Sequence, residues 1–137
     1  MRGLALLVLL LAPIAVAAGE LRVEKISPNQ AAQQMSAGKA VLVDVRERSE
    51  LDAGMAQGAR WYPTSSIQSD PDAFAKFVGS LPADQTIVFY CASGGRSGKA
   101  AEIATQQGRK AANAGGFKDW QGAGLPVTAP AKALSPG

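Results

Sequence analysis

Strand signals and helix signals alternate along this chain from residue 21 to residue 127. That order predicts an α/β fold: an open parallel β-sheet of about five strands with helices on both faces. Three observations carry the prediction. Val41-Leu42-Val43-Asp44-Val45 and Thr86-Ile87-Val88-Phe89-Tyr90 are nearly continuous apolar runs. Strands covered on both faces read that way, whereas half-exposed strands alternate. Helix-start signals stand between the strand-like runs, at Ser27-Pro28 and Asp70-Pro71. The second apolar run passes straight into a Gly-rich turn and a helix, the type of crossover a parallel sheet needs.

Leu21 to Ile26 reads as a short first strand. Ser27 can cap the helix that follows, Pro28 suits its first position, and Gln30 can complete a capping box. That helix is expected to end near Gly38. Val41 to Val45 is a buried strand, and Arg46 to Asp52 a charged loop with a short helix. Gly54 and Gly58 punctuate the next connection. Ala59 to Tyr62 is a short strand stopped by Pro63. Asp70-Pro71 opens a helix with Phe74, Phe77 and Val78 on one face. Thr86 to Tyr90 is the candidate central strand. Ser97 to Gln107 is a helix presenting Ala100, Ala101, Ile103 and Ala104 inward, stopped by Gly108. Lys110 to Ala114 is a weak last strand, and Phe117 to Gln121 a helical turn. Residues 128–137 form an Ala/Pro/Ser-rich tail predicted to be disordered.

The chain starts differently. Met1-Arg2 is basic, Leu4 to Ile14 apolar, and Ala15-Val16-Ala17-Ala18 small. This layout predicts a signal peptide over residues 1–18 and a periplasmic or secreted location. The apolar run is about half the ~20 residues of a spanning helix, so no stable membrane span is expected after cleavage.

Composition removes several chemistries. The 137 residues include one Cys and no His. A Ser-His-Asp triad, a Cys-His dyad, an intramolecular disulfide and a His or multi-Cys metal site are all excluded. The net charge is only +3, and the basic residues are scattered, so a nucleic-acid partner is not expected.

The lone thiol falls at the carboxyl end of the candidate central strand, where open α/β sheets bind their ligands. It begins the segment Cys91-Ala92-Ser93-Gly94-Gly95-Arg96-Ser97. An ordinary thiol is only ~3% ionised at pH 7. A loop curled round the sulfur can aim backbone N–H groups at it, with Gly94 and Gly95 supplying the positive φ this needs. The following helix adds the positive end of its dipole. Arg96 adds a charge able to grip an oxyanion with two donors. A Walker phosphate loop fails at two positions, Ser93 and Ala100. Cys-dependent phosphatases place five residues between Cys and Arg, and only four stand here.

With these motifs in order, the chain resembles a single-domain rhodanese, a module of thiosulfate sulfurtransferase type, over residues 21–127. Val41 to Glu47 resembles the family's first signature. Gly54-Met55-Ala56-Gln57-Gly58-Ala59 occupies the place of its Gly-His-Ile-Pro-Gly-Ala segment, with Met55 and Gln57 replacing His and Pro. Cys91 to Ser97 resembles the active-site loop. Gly115-Gly116-Phe117, Trp120 and Gly124-Leu125-Pro126-Val127 resemble the closing signature. The resemblance implies that Cys91 takes a sulfane sulfur from a small donor such as thiosulfate and passes it to a thiol or cyanide. A protein sulfur acceptor is a further class of partner. It implies a persulfide cradled by Ala92, Ser93, Gly94, Gly95, Arg96 and Ser97, with no cofactor and no metal. The alternative is a non-catalytic module of the same fold that binds an anion, a sulfur species or a partner protein. Asp44 and Arg46 read as a structural pair bracing the loop, and Trp61-Tyr62 and Trp120 as packing residues. Glu47, Arg48 and Glu50 read as a solvated face.

Overall fold

Residues 22–130 and 136–137 are described by the computed structural model. The signal peptide expected at residues 1–18 and residues 131–135 of the tail lie outside them. Among the described residues seven strands form: β1 (Glu24–Lys25), β2 (Ala40–Asp44), β3 (Met55–Ala56), β4 (Arg60–Trp61), β5 (Thr86–Cys91), β6 (Ala111–Gly116) and β7 (Val127–Thr128). Five helices accompany them: α1 (Pro28–Ser36), α2 (Thr64–Ser69), α3 (Pro71–Ser80), α4 (Gly95–Gln106) and α5 (Phe117–Gly122). The main sheet has five strands in the order β1-β6-β5-β2-β4, all parallel. The α/β class with helices on both faces is therefore what the chain adopts, and β5 is its middle strand.

Local chemistry explains most boundaries. Ser27 Oγ accepts from Gln30 N–H at 3.1 Å and the Gln30 side chain accepts from Ser27 N–H at 2.8 Å, the expected capping box. Asp70 caps α3 through Ala73 N–H at 3.0 Å. Phe74, Phe77 and Val78 of α3 are all buried. They pack with Ala100, Ala101 and Ala104 of α4 against Val43, Ile87 and Phe89 on one face of the sheet. Ile103, expected inward with those alanines, is only partly buried against the same cluster. The other face holds Leu42, Val88 and Tyr90 under Ala31 of α1 and Phe117 and Trp120 of α5. Each large apolar side chain removed from water in this way contributes at most roughly 2–3 kcal/mol.

Several elements differ from the sequence expectation, the first strand forming only over Glu24–Lys25 and the strand before Pro63 only over Arg60–Trp61. Helix α4 begins two residues early, at Gly95, because Gly94 serves as its N-cap with φ of 100°. Gly95 and Arg96 thus belong to the first helical turn. Helix α2 has a poor helical composition and no cap of its own. Its start is held from a distance, by Glu47, whose carboxylate accepts from Ser65 N–H at 2.9 Å and Ser65 Oγ at 2.7 Å. Strand β6 runs on to Gly116 and is buried rather than marginal, because its alanines fit close under neighbours on both faces. Finally, Thr128 was expected in the tail but is a ladder residue. Val127–Thr128 pair antiparallel with Met55–Ala56.

The β3 segment is where Met55 stands in place of the family His. Met55 is buried with Leu51 and Trp61 in a small separate cluster.

Candidate active site

Cys91 ends the central strand, between β2 and β6, and is 1% exposed. The loop behind it is folded over the sulfur. Gly94 N–H donates to Sγ at 3.0 Å, and the Ser97 hydroxyl oxygen lies 3.3 Å from it. Burial by itself would push the thiol pKa up. The Ser97 hydroxyl, with the backbone N–H groups of Ser97, Ser93 and Gly94, outweighs that effect and holds it below its ordinary value. Within the cradle expected from Ala92 to Ser97, Ser93, Gly94 and Ser97 are the residues that turn hydrogen-bond donors to the sulfur. Ala92 and Ser93 are exposed at its rim.

Two glycines make this geometry possible. Gly94 has φ of 100°, the left-handed region, whereas Gly95, expected to share that role, is helical. Gly116 is required by close approach. A Cβ there would lie 2.2 Å from the Ala92 carbonyl oxygen. The β5–β6 register also shifts at this point, from Phe89↔Asn113 to Cys91↔Gly116. The extra residue on β6 is a bulge of the kind that re-aims side chains beside functional sites.

Asn113 sits on that strand just before the bulge and is 8% exposed. Its Nδ2 donates to Gly94 O at 2.9 Å, and its Oδ1 accepts from Gly115 N–H at 3.0 Å and lies 2.8 Å from Ser97 Oγ. One amide thus ties the loop, the helix and the bulge together. Sequence reading did not single it out. The available signal was a lone amide in an Ala/Gly strand, at the sheet end where ligands bind.

Asp44 and Arg46 form the expected structural pair. Arg46 Nη2 lies 2.7 Å from Asp44 Oδ2, with side chains 4% and 0% exposed. Arg46 also donates to Glu50 O at 3.1 Å and Gly54 O at 2.8 Å. The Tyr90 hydroxyl donates to Asp44 and accepts from Ala56 N–H at 3.0 Å. Burial first, then the Asp44 charge, pushes the Tyr90 phenol far up, so it stays neutral.

Arg96, expected to help hold the loop or the donor anion, is paired within the chain. Its two terminal nitrogens donate to the two Glu50 oxygens at 2.7 and 2.8 Å. Glu50, expected on a solvated face, is instead paired while remaining about one third exposed. Its hydrogen bonds from Arg96, then that from Glu47 N–H, outweigh desolvation and lower its pKa to about 2. Glu47 is likewise engaged, by Ser65. Sequence gave no sign of either contact, because Glu50 and Arg96 are 46 residues apart.

Two clefts flank the loop. One, of about 490 Å³, is lined by Lys25, Ser93, Gly94, Asn113 and Asp119 among others. The other, of about 220 Å³, is lined by Arg46, Glu50, Ala53, Ala92, Phe117, Lys118 and Gln121. In the second, Arg46 is closed on Asp44 and Glu50 on Arg96. Lys118 is exposed there and makes no salt bridge among the described residues.

Residues 27–123 match the profile described as Rhodanese-like domain. The chain belongs to the rhodanese-like domain family. Among its relatives is the human thiosulfate:glutathione sulfurtransferase, 35% identical over 95 residues, which span 63% of this chain and 83% of that protein. A sulfurtransferase of Allochromatium vinosum is 35% identical over 92 residues, spanning 66% of this chain and 79% of the relative. The solved structure of the human single-domain sulfurtransferase superposes with a TM-score of 0.59 at 31% identity, covering 74% of this chain and 97% of that one. A rhodanese-related protein from Thermoplasma volcanium reaches a TM-score of 0.63 at 26% identity, covering 78% and 99% of the two chains. The rhodanese-like fold and sulfurtransferase relatives together point to a rhodanese-type enzyme.

Proposed function

We propose that this rhodanese-like domain is an exported sulfurtransferase that carries sulfur as a persulfide on Cys91. The carrying observation is one thiol at the end of the central strand, held by Gly94 N–H and the Ser97 hydroxyl so that its anion is favoured. A preformed thiolate needs no general base, which suits a chain without His. The thiolate attacks the outer sulfur of thiosulfate, a new bond forms between Cys91 Sγ and that sulfur, and the S–S bond of the donor breaks to release sulfite. A nucleophile then takes the outer persulfide sulfur and the Cys91 thiolate leaves. With cyanide the product is thiocyanate. A low-molecular-weight thiol is the acceptor class suggested by the name of the human relative. Lys118 is the charge that meets the donor anion in the smaller cleft, since both nearby arginines already hold carboxylates.

The export part of the proposal rests on Met1-Arg2, the apolar run to Ile14 and the small residues to Ala18. N-terminal sequencing of the protein recovered from a bacterial periplasm tests it. A start at Gly19 or Ala18 supports it, and an intact Met1 overturns it.

The activity is tested by mass spectrometry after incubation with thiosulfate. One sulfur atom, about 32 Da, should add at Cys91, and cyanide should remove it as thiocyanate. Cys91→Ser should abolish both while leaving the thermal midpoint nearly unchanged. No adduct and no thiocyanate would leave the non-catalytic reading, which the 1% exposure of Cys91 favours.

A further inference from the structure

We propose that Ser97 and Asn113 form a hydroxyl switch that sets the ionisation of Cys91. The Ser97 proton points at the Asn113 amide oxygen while Cys91 is a thiol, and turns to the sulfur when it is a thiolate. This rests on the reading of Cys91 as the sulfur carrier.

Ser97 Oγ lies 2.8 Å from Asn113 Oδ1 and 3.3 Å from Cys91 Sγ. A hydroxyl has one hydrogen to donate, so it serves one of these acceptors at a time. The Asn113 amide cannot turn over to relieve the competition. Its Nδ2 must face the Gly94 carbonyl at 2.9 Å and its Oδ1 the Gly115 N–H at 3.0 Å; exchanging them sets oxygen against oxygen and N–H against N–H. The group that faces Ser97 is therefore always an acceptor. Ser97 is fully buried, so water does not substitute for either contact.

Both arrangements satisfy every buried group. With the thiol, S–H donates to Ser97 Oγ and the Ser97 O–H donates to Asn113. With the thiolate, the Ser97 O–H donates to sulfur, and Asn113 Oδ1 keeps the Gly115 N–H. Only the Ser97 C–O torsion changes. Its O–H bond stays intact, and the ionising proton passes from sulfur to solvent. Hydrogen bonds to an ionised acceptor are roughly twice as strong as neutral ones, so the switch favours the thiolate.

The charges near the sulfur leave this neutral pair as the adjustable part. From α4, Arg96 faces it, but Glu50 holds that guanidinium, with Glu47 beyond. At the end of β2, Asp44 and Arg46 are closed on each other. Tyr90, the preceding residue of β5, is a neutral phenol bonded to Asp44. Lys25 and Asp119 line the larger cleft together, one of each sign. Strand β6 offers only Asn113.

The test uses the full chain and two readouts that do not require sulfur transfer. One is the pH profile of Cys91 alkylation by iodoacetamide. The other is the infrared S–H stretch, a single band because the chain has one thiol. In Ser97→Ala the apparent pKa should rise by about one unit, roughly a tenfold loss of alkylation rate on the acid side, with the full rate restored above the pKa. The S–H band should move from a hydrogen-bonded to a free position. Ser97→Thr should restore both. An unchanged pKa, or a loss equal at every pH that Thr does not rescue, overturns the switch. If Ser97→Ala does not fold, a free-thiol band in the unmodified protein overturns it equally. A shifted pKa in a protein that transfers no sulfur supports the switch while rejecting the enzymatic reading. Normal transfer with neither shift does the opposite.

Discussion

Two arginines stand beside the same loop, each joined to a carboxylate at 2.7 Å, and the two pairs differ in nearly everything else. Asp44–Arg46 is almost wholly excluded from water, at 0% and 4% exposure, whereas Glu50–Arg96 is about one third exposed, at 32% and 33%. In the first, the pair is tied further into the protein by Tyr90, Glu50 O and Gly54 O, and among the described residues no buried side-chain nitrogen or oxygen is left without a partner. The guanidinium also lies 4.2 Å from the Phe117 ring centroid. In the second, water competes for both groups. Distance alone does not rank such pairs. Desolvation decides what breaking one costs, and what is left unpaired decides the rest.

The largest effect should come from Asp44→Ala. It strands the Arg46 charge inside the protein, and loss of one member of a buried pair costs about 3–5 kcal/mol. Urea midpoints on the variant and the parent would measure it. A loss below about 1 kcal/mol would mean that the buried pair behaves like the exposed one. Tyr90→Phe should come next. It removes the acceptor of Ala56 N–H and one donor to Asp44, leaving buried groups unsatisfied at about 1–3 kcal/mol. That destabilisation should appear with little change in the alkylation pKa of Cys91, because the phenol lies on the opposite face of the sheet.

Much of this frame was legible in the sequence, for a physical reason. Caps, apolar runs and glycine stops act over a few residues, so Ser27, Asp70 and the Thr86–Tyr90 run declare themselves. The same holds for the thiol and its loop, which are contiguous, and for Asp44 and Arg46, two positions apart at the end of one strand. What stayed hidden depends on distant partners. Glu50 and Glu47 look like surface charges until the fold brings Arg96 and Ser65 to them. Helix α2 has no signal because its stabilising carboxylate is Glu47, 18 residues earlier. Asn113 is an unremarked amide until Gly94, Gly115 and Ser97 converge on it. Arg96 pairs with Glu50 without any local signal for the same reason: its partner comes from another part of the chain.

Because both arginines are occupied, a kinetic effect of moderate size should fall on a lysine. Lys118→Gln should raise the thiosulfate KM about three- to tenfold with kcat little changed, as expected when one charged contact to the substrate is lost. Steady-state thiocyanate formation measures this, and added salt should reduce the difference between variant and parent. An unchanged KM would move donor binding to the larger cleft, lined by Lys25 and Asp119.

Glu50→Gln should produce the smallest change in stability, and one with a sign opposite to Lys118 in kinetics. At neutral pH the loss should stay under about 1 kcal/mol, because water screens a pair that is one third exposed. Its pH dependence is specific. The Glu50 pKa is lowered in the folded protein to about 2, chiefly by Arg96. A depressed carboxylate stabilises the fold above its unfolded value, near 4.3, and that contribution fades as pH falls toward 2. The parent should therefore lose stability across that window more steeply than Glu50→Gln, and the two urea midpoints should converge near pH 2. Releasing Arg96 also adds a free positive charge beside the smaller cleft, so the thiosulfate KM should fall where Lys118→Gln raises it. A rise in both variants would show that Glu50 positions Arg96 for the donor instead of occupying it.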